Sequence, residues 1–331
     1  MSIADASTPT RAALAPDLPS ETSRIAVLIP CYNEEVAVGH VVKAFRAALP
    51  LATIYVFDNN SKDRTVAVAL EAGAEVRHVT TQGKGNVVRR MFADIDADIY
   101  LLVDGDDTYD AASAPAMVEA LLKDHLDMVV GCRTSDEHAA YRPGHRFGNA
   151  LLTNMVAMIF GRTFTDILSG YRVFSRRFVK SFPAISGGFE IETELTVHAL
   201  QLIMPCGEIS TPYGSRRQGS SSKLNTYRDG WRIILTILQL LRLEMPLRFF
   251  SVVAGVLALS SVLLAIPLIV TYIETGLVPR LPTAVLVTGL MLLAALNLTS
   301  GFILDNVTRG RREMRHLFYL NHRGPGDQIT K

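Results

Sequence analysis

An apolar run, Tyr100-Leu101-Leu102-Val103, empties into Asp104-Gly105-Asp106-Asp107-Thr108, which places three carboxylates within four positions. The run reads as a buried strand. Carboxylates crowded at its end repel one another unless a cation shares the site. Oxygen ligands in a short loop suit a hard divalent ion, Mg²⁺ or Mn²⁺, whose remaining positions stay open to phosphate oxygens. An isolated D-x-D also fits a solvated acidic turn, so the reading depends on its surroundings.

Those surroundings are a series of strand ends. Strands are expected at residues 25–29, 54–57, 75–79, 99–103 and 127–130, with helices at 34–48, 62–72, 85–94 and 112–122. Alternating β and α elements predict an α/β, Rossmann-like, mostly parallel sheet, whose ligands bind beyond the carboxyl ends of the strands. Pro30-Cys31-Tyr32-Asn33-Glu34-Glu35, Asp58-Asn59-Asn60-Ser61-Lys62-Asp63, Gln82-Gly83-Lys84-Gly85-Asn86, Asp104-Gly105-Asp106 and Gly131-Cys132-Arg133 all fall there. One polar loop is a solvated turn; five at one edge make a site. Lys84 opens a helix from a glycine-rich loop, which suits phosphate. Farther on, an amphipathic helix is expected at 145–160, a loop at 166–172, a helix opening near Glu190 and a mobile basic loop at 213–223.

The chain of 331 residues carries Lys+Arg 33 against Asp+Glu 32, a net charge of +1, with no bias toward nucleic acid. Hydrophobic residues make up 49% but cluster, and residues 249–273 and 281–304 hold no charge. Each run exceeds the roughly 20 residues that span a bilayer as a helix. Arg242 and Arg248 precede the first, and Arg309, Arg311, Arg312 and Arg315 follow the second. By the positive-inside rule the N-terminal α/β domain and both termini are expected on the cytoplasmic side of a two-span membrane protein. Residues 225–246, with Trp231, Ile234, Leu235, Leu238 and Leu241 at helical spacing, read as a juxtamembrane interfacial helix. Residues 1–23 read as a flexible tail without the apolar core of a signal peptide, and 306–331 as a cytoplasmic tail. Gly289 and Ala294 are small enough for helix association, which leaves a homo-oligomer open. Cys31, Cys132 and Cys206 form no C-x-x-C pair and read as buried thiols.

In their order and spacing, residues 29–35, 58–63, 104–106, Ser169-Gly170-Tyr171-Arg172 and 219–223 resemble the inverting glycosyltransferase family 2, which has the GT-A fold. The resemblance runs over residues 24–224. It is nearest to the polyprenyl-phosphate branch, with dolichyl-phosphate mannose synthases and bacterial undecaprenyl-phosphate sugar transferases. It implies a nucleoside diphosphate sugar donor, with UDP ahead of GDP, and a polyprenyl monophosphate acceptor. Two departures stand out: Asp58-Asn59-Asn60 replaces the usual two acids and a glycine, and the basic loop is one residue longer. No Q-x-x-R-W sequence of processive synthases is present.

The resemblance assigns Pro30, Tyr32, Glu34, Asp58, Asn60, Lys84 and Asp104 to the donor, and Asp104, Asp106 and Thr108 to the metal. Catalytic candidates are Asp104, Asp106, Glu194 and Asp166. On a helix, Glu190 and Glu194 share a face and Glu192 points away, and Glu194 is the acid chosen. Arg133, Arg146, Asn149, Arg172, Arg217 and Lys223 are the candidates for the acceptor phosphate. A monophosphate is mostly anionic near neutral pH, with a second pKa of about 6, and needs positioning more than a base. Two alternatives remain open: a family 2 enzyme acting on a glycolipid hydroxyl, which requires a base, and a non-catalytic nucleotide-binding membrane scaffold.

Overall fold

In the computed structural model, residues 23–134, 156–157, 161, 164–184, 191–214, 235, 239 and 241–325 are described. Outside them lie the N-terminal tail, nearly all of the helix expected at 145–160, residues 215–223 of the basic loop and most of the interfacial helix.

The first half alternates as expected: β1 (Ile25–Cys31), α1 (Val38–Ala48), β2 (Thr53–Asp58), α2 (Thr65–Glu71), β3 (Glu75–His78), α3 (Lys84–Asp94), β4 (Ile99–Leu102), α4 (Ala114–Lys123) and β5 (Met128–Thr134). There follow β6 (Arg172–Ser175), α5 (Arg176–Ser181), α6 (Ile191–Gln201) and β7 (Cys206–Pro212). The described strands form one sheet in the order β3-β2-β1-β4-β6-β5-β7. Neighbours pair in parallel except β6, which runs antiparallel to both β4 and β5. The strict β/α alternation therefore ends at β5, and the stretch expected as a loop leads straight into β6.

Both faces of the sheet are covered, so its strands read as continuous apolar runs. Along β1, Ile25, Val27 and Ile29 pack with Val41 and Phe45 of α1 and Met117 and Leu121 of α4. Ala26 and Leu28 pack on the other face, with Val87, Val88 and Met91 of α3. The buried positions of α1, Val38, Val41, Val42 and Phe45, keep the spacing of a one-faced helix.

Two long helices follow, α7 (Pro246–Thr275) and α8 (Leu281–Leu320), both long and apolar enough to cross a membrane. They pack as an antiparallel hairpin. Ser261 donates to the Val287 carbonyl at 2.8 Å, and Ala254 and Ala294 are buried. A Cβ on Gly301 would lie 3.0 Å from Phe250 Cβ, so the helices approach closely at this glycine. Residues 306–320 of the expected tail are a direct continuation of α8 and run down the domain. Arg312 donates to the Glu244 carbonyl at 2.6 Å, Arg315 to Gln201 at 2.7 Å, and the Tyr319 hydroxyl to Asp127 at 2.9 Å. Arg177 pairs with Asp127 at 2.5 Å and lies 4.7 Å over the Tyr319 ring.

Candidate active site

The loops after β1 and β2 are knitted together by side chains that accept from backbone N–H groups. Ser61 Oγ accepts from Asn33 N at 2.9 Å and Thr65 Oγ1 from Glu34 N at 2.8 Å. In return, Asn33 Oδ1 accepts from Lys62 N and Glu35 Oε2 from Arg64 N, both at 2.8 Å. Asn33 and Asn60 take left-handed backbone angles, φ 54° and 65°, a region that asparagine enters more readily than most residues. Pro30, Tyr32 and Glu34 are half-buried along this rim. Asp58, expected on the nucleoside base, is 3% exposed. It instead accepts from Ser61 N at 3.2 Å and from the His78 ring at 3.3 Å, and so braces its own loop.

Asn59, which carries no role in the sequence pattern, ties the second loop to the third. Its amide donates to the Val79 and Thr81 carbonyls, both at 2.9 Å, and its carbonyl accepts from Gly83 N at 2.7 Å. The second loop thereby sets the entrance of α3, while Asn60 donates to the Thr80 carbonyl at 2.7 Å. The departure Asp58-Asn59-Asn60 was its only signal.

Lys84, first residue of α3, reaches across the strand ends. Its ammonium lies 2.5 Å from Asp104 Oδ1 and 2.5 Å from Glu192 Oε1. Its side chain is 10% exposed and that of Glu192 6%. Burial opposes the charge on Lys84, but Asp104 and Glu192 outweigh it and hold the ammonium well above its ordinary range.

Asp106 is buried and accepts from Thr108 Oγ1 at 2.6 Å. Thr108, expected as a metal ligand, is itself buried and positions Asp106 through that bond. Asp107, in a left-handed conformation (φ 60°), accepts from His40 at 2.7 Å. The cap of the next turn is Asp110, which accepts from Ala112 N. Asp104 itself fits closely under the loop before β6. A Cβ on Gly170 would meet Asp104 Oδ2 at 2.5 Å, so any larger residue would push the Asp104 carboxylate out of place.

Arg172 builds that loop. It is fully buried, and its guanidinium donates to the Ser169 carbonyl at 2.9 Å, the Ile167 carbonyl at 2.6 Å and Thr196 Oγ1 at 2.9 Å. The sequence places Arg172 among the candidates for the acceptor phosphate; here its fork serves acceptors inside the protein. Gly170 N in turn donates to the Tyr109 hydroxyl at 2.9 Å. Asp166 and Arg133 form a two-pronged pair at 2.7 Å for each bond. Burial works against the Asp166 charge, yet Arg133 holds its carboxyl below the usual range. Arg133 also lies 5.5 Å over the Tyr213 ring. Neither is the open catalytic acid or open phosphate cation that the sequence suggested. Arg146, Asn149, Arg217 and Lys223 lie outside the described residues.

The two glutamates of α6 exchange the roles expected of them. Glu192 meets Lys84, whereas Glu194 is half-buried and lends its charge to Arg315 on α8. Glu190 lies outside the described residues, and of the two described glutamates it is Glu192 whose carboxylate reaches Lys84.

Among the described residues, no three His, Cys, Asp or Glu side chains come together as a metal cage. Asp104 and Asp106 offer an all-oxygen pair on one short loop, and this set fits a hard ion that completes its shell with diphosphate oxygens. The three thiols are unpaired by disulfides, with Cys31 and Cys132 buried.

Comparison with known proteins bears on this arrangement. The profile of Glycosyl transferase family 2 matches residues 26–182. Glycosyltransferase AglJ of Haloferax volcanii is 35% identical over 233 residues, covering 69% of this chain and 75% of the relative. The Dolichyl-phosphate hexose transferase of the same organism is 26% identical over 206 residues, 62% of this chain and 89% of the relative. Among solved structures, glucosyl-3-phosphoglycerate synthase from Mycobacterium tuberculosis, in complex with Mn²⁺, UDP and glucosyl-3-phosphoglycerate, superposes with a TM-score of 0.55. That match has 22% identity and covers 66% of this chain and 79% of the other, a likeness of fold.

Proposed function

The chain belongs to glycosyl transferase family 2, and on that premise we propose that it moves one sugar from a nucleoside diphosphate donor to a polyprenyl monophosphate at a membrane surface, with inversion. The observation that carries this reading is α8, which passes without a break from an apolar span onto the back of the catalytic domain. A domain mounted in this way meets a lipid-borne acceptor at the headgroup layer. The Haloferax volcanii relative named for dolichyl-phosphate supports the acceptor class, and the solved neighbour holding UDP supports a uridine donor. Arginines flanking both ends of the hairpin favour a cytoplasmic catalytic domain.

Asp104 and Asp106 are the residues that would hold the divalent ion, Mg²⁺ or Mn²⁺. Bound there, it would supply Lewis-acid stabilisation of the departing diphosphate. The protein's own groups do the rest. Tyr32 and Glu34 line the donor rim, Thr108 aims Asp106, and the Gly170 loop confines Asp104. The acceptor phosphate is the nucleophile in an in-line displacement at the anomeric carbon. Glu192, which shares the Lys84 ammonium with Asp104, is already engaged by that cation. That is a poor arrangement for a general base and a workable one for a phosphate acceptor, which needs none.

The test is transfer of radiolabelled sugar from UDP- and GDP-sugars to undecaprenyl phosphate, using detergent-solubilised protein with Mn²⁺ or Mg²⁺. Acid-labile label in the lipid phase is the expected result; donor binding without lipid label overturns the acceptor. In the same assay Glu192→Gln should lower kcat by about 10–100-fold, the usual cost of losing a group that orients a metal-site ligand. Glu194→Gln should stay within about threefold of wild type, because its charge faces Arg315. Equal losses in the two variants would remove Glu192 from the site.

A further inference from the structure

The proposed donor and metal roles leave one arrangement unexplained. Lys84 was expected to bind phosphate, yet its ammonium bridges two carboxylates at 2.5 Å each, in a pocket that leaves its side chain 10% exposed. One of the two, Asp104, is also a residue that would hold the metal. Its Oδ1 carries the ammonium, and its Oδ2 lies against the Gly170 backbone. A dication approaching Asp104 therefore meets a unit positive charge already seated there, and repulsion at such distances is strong where water is scarce. Without Lys84, Asp104 and Glu192 would lose the ammonium that bridges their two negative charges.

We infer that Lys84 is an internal counter-cation that holds Asp104 and Glu192 in register and passes from Asp104 to the donor diphosphate as the divalent ion arrives. This rests on the reading of Asp104 and Asp106 as the metal-holding pair. Two features suit Lys84 to the exchange. It opens α3, an 11-residue helix whose N-terminal amides draw phosphate to the same place. Glu192, buried on α6, stays within the ammonium's reach and keeps it at the site after Asp104 is released. The consequence is coupling. The ion alone binds weakly because it must displace or tolerate Lys84. The diphosphate supplies the negative charge that draws the lysine away, so ion and donor load together.

The experiment measures binding by full-length protein in detergent, with no sugar transfer involved. Free Mn²⁺ is followed by electron paramagnetic resonance in the absence of nucleotide, for wild type, Lys84→Met, Lys84→Gln and Asp106→Ala. Removing a unit charge beside a dication should tighten Mn²⁺ binding at least about tenfold in Lys84→Met. Lys84→Gln, which keeps a hydrogen-bond donor for both carboxylates, should show the same gain, so the result does not depend on one variant folding. Metal-free UDP binding should weaken in both. Mn²⁺ affinity that is unchanged or weaker in the two lysine variants overturns the exchange. Asp106→Ala separates this from the site reading. If it loses Mn²⁺ while the lysine variants match wild type, only the exchange falls. If it binds Mn²⁺ as wild type does, the metal-holding pair itself is misassigned.

Discussion

Asp106→Ala should reduce sugar transfer by about 10³-fold at saturating donor and acceptor, the scale of losing a charge-stabilising group at a developing leaving group. Asp106 sits in a buried turn, fixed by the Thr108 hydroxyl at 2.6 Å. Truncation removes an oxygen that the two neighbouring aspartates of the loop are not placed to replace, because Asp107 is turned toward His40 and Asp104 is tied to Lys84. The loss should appear in kcat, with the melting temperature near that of wild type, since removing one of several crowded carboxylates relieves repulsion. Thr108→Val provides the graded comparison. It keeps the carboxylate but frees its orientation, and should lie between wild type and Asp106→Ala. Turnover by Asp106→Ala within about tenfold of wild type would exclude a metal-holding role for this residue.

The second large effect is on stability. Arg172→Ala should destabilise the catalytic domain by about 3–5 kcal/mol, because it opens a cavity and strands buried acceptors together. The Ser169 and Ile167 carbonyls and Thr196 Oγ1 all accept hydrogen bonds from this one guanidinium. For a domain of this size that corresponds to roughly 6–20 °C in melting temperature. Arg172→Lys keeps the charge, but a single ammonium cannot reproduce a planar fork that serves three acceptors. It should also melt early, with transfer lost as the Gly170 loop slackens around Asp104. A phosphate-binding arginine would behave in the opposite way, with a raised KM for the acceptor and an unchanged melting curve. Thermal unfolding beside acceptor kinetics distinguishes the two.

Arg172 also shows where the sequence stops being legible. The strand ends could be read because apolar runs bounded by polar loops admit one architecture. Asp104, Asp106 and Lys84 stand out as charged residues placed where a buried strand or a glycine-rich turn ends. Residue type alone does not say whether an arginine faces a ligand or an internal carbonyl, since both are hydrogen-bond acceptors. β6 escaped notice because it is four residues long and begins with that arginine. The glutamates of α6 failed for a different reason. Ile191, Glu192, Thr193, Leu195, Thr196, Val197, His198 and Ala199 are all buried. A helix enclosed nearly all round carries no polar face from which to infer which side meets the site. Asn59 was visible only as a departure from the usual second loop; its bonds to the third loop explain why an amide, with donors and an acceptor, serves there.

The unbroken course of α8 carries a mechanical consequence. Its 40 residues make a rod about 60 Å long at ~1.5 Å per residue. Its lower part is clasped to the domain through Arg315, Tyr319 and the Arg177–Asp127 pair. A helix hairpin answers a change in bilayer thickness by tilting, and here the tilt has no hinge in which to dissipate before it reaches the sheet. With the hairpin in a bilayer, the rod acts as a lever: its angle sets both the height and the attitude of the strand ends above the headgroups. On the proposed reading, the thickness of the membrane becomes an input to how squarely a lipid-borne acceptor is presented.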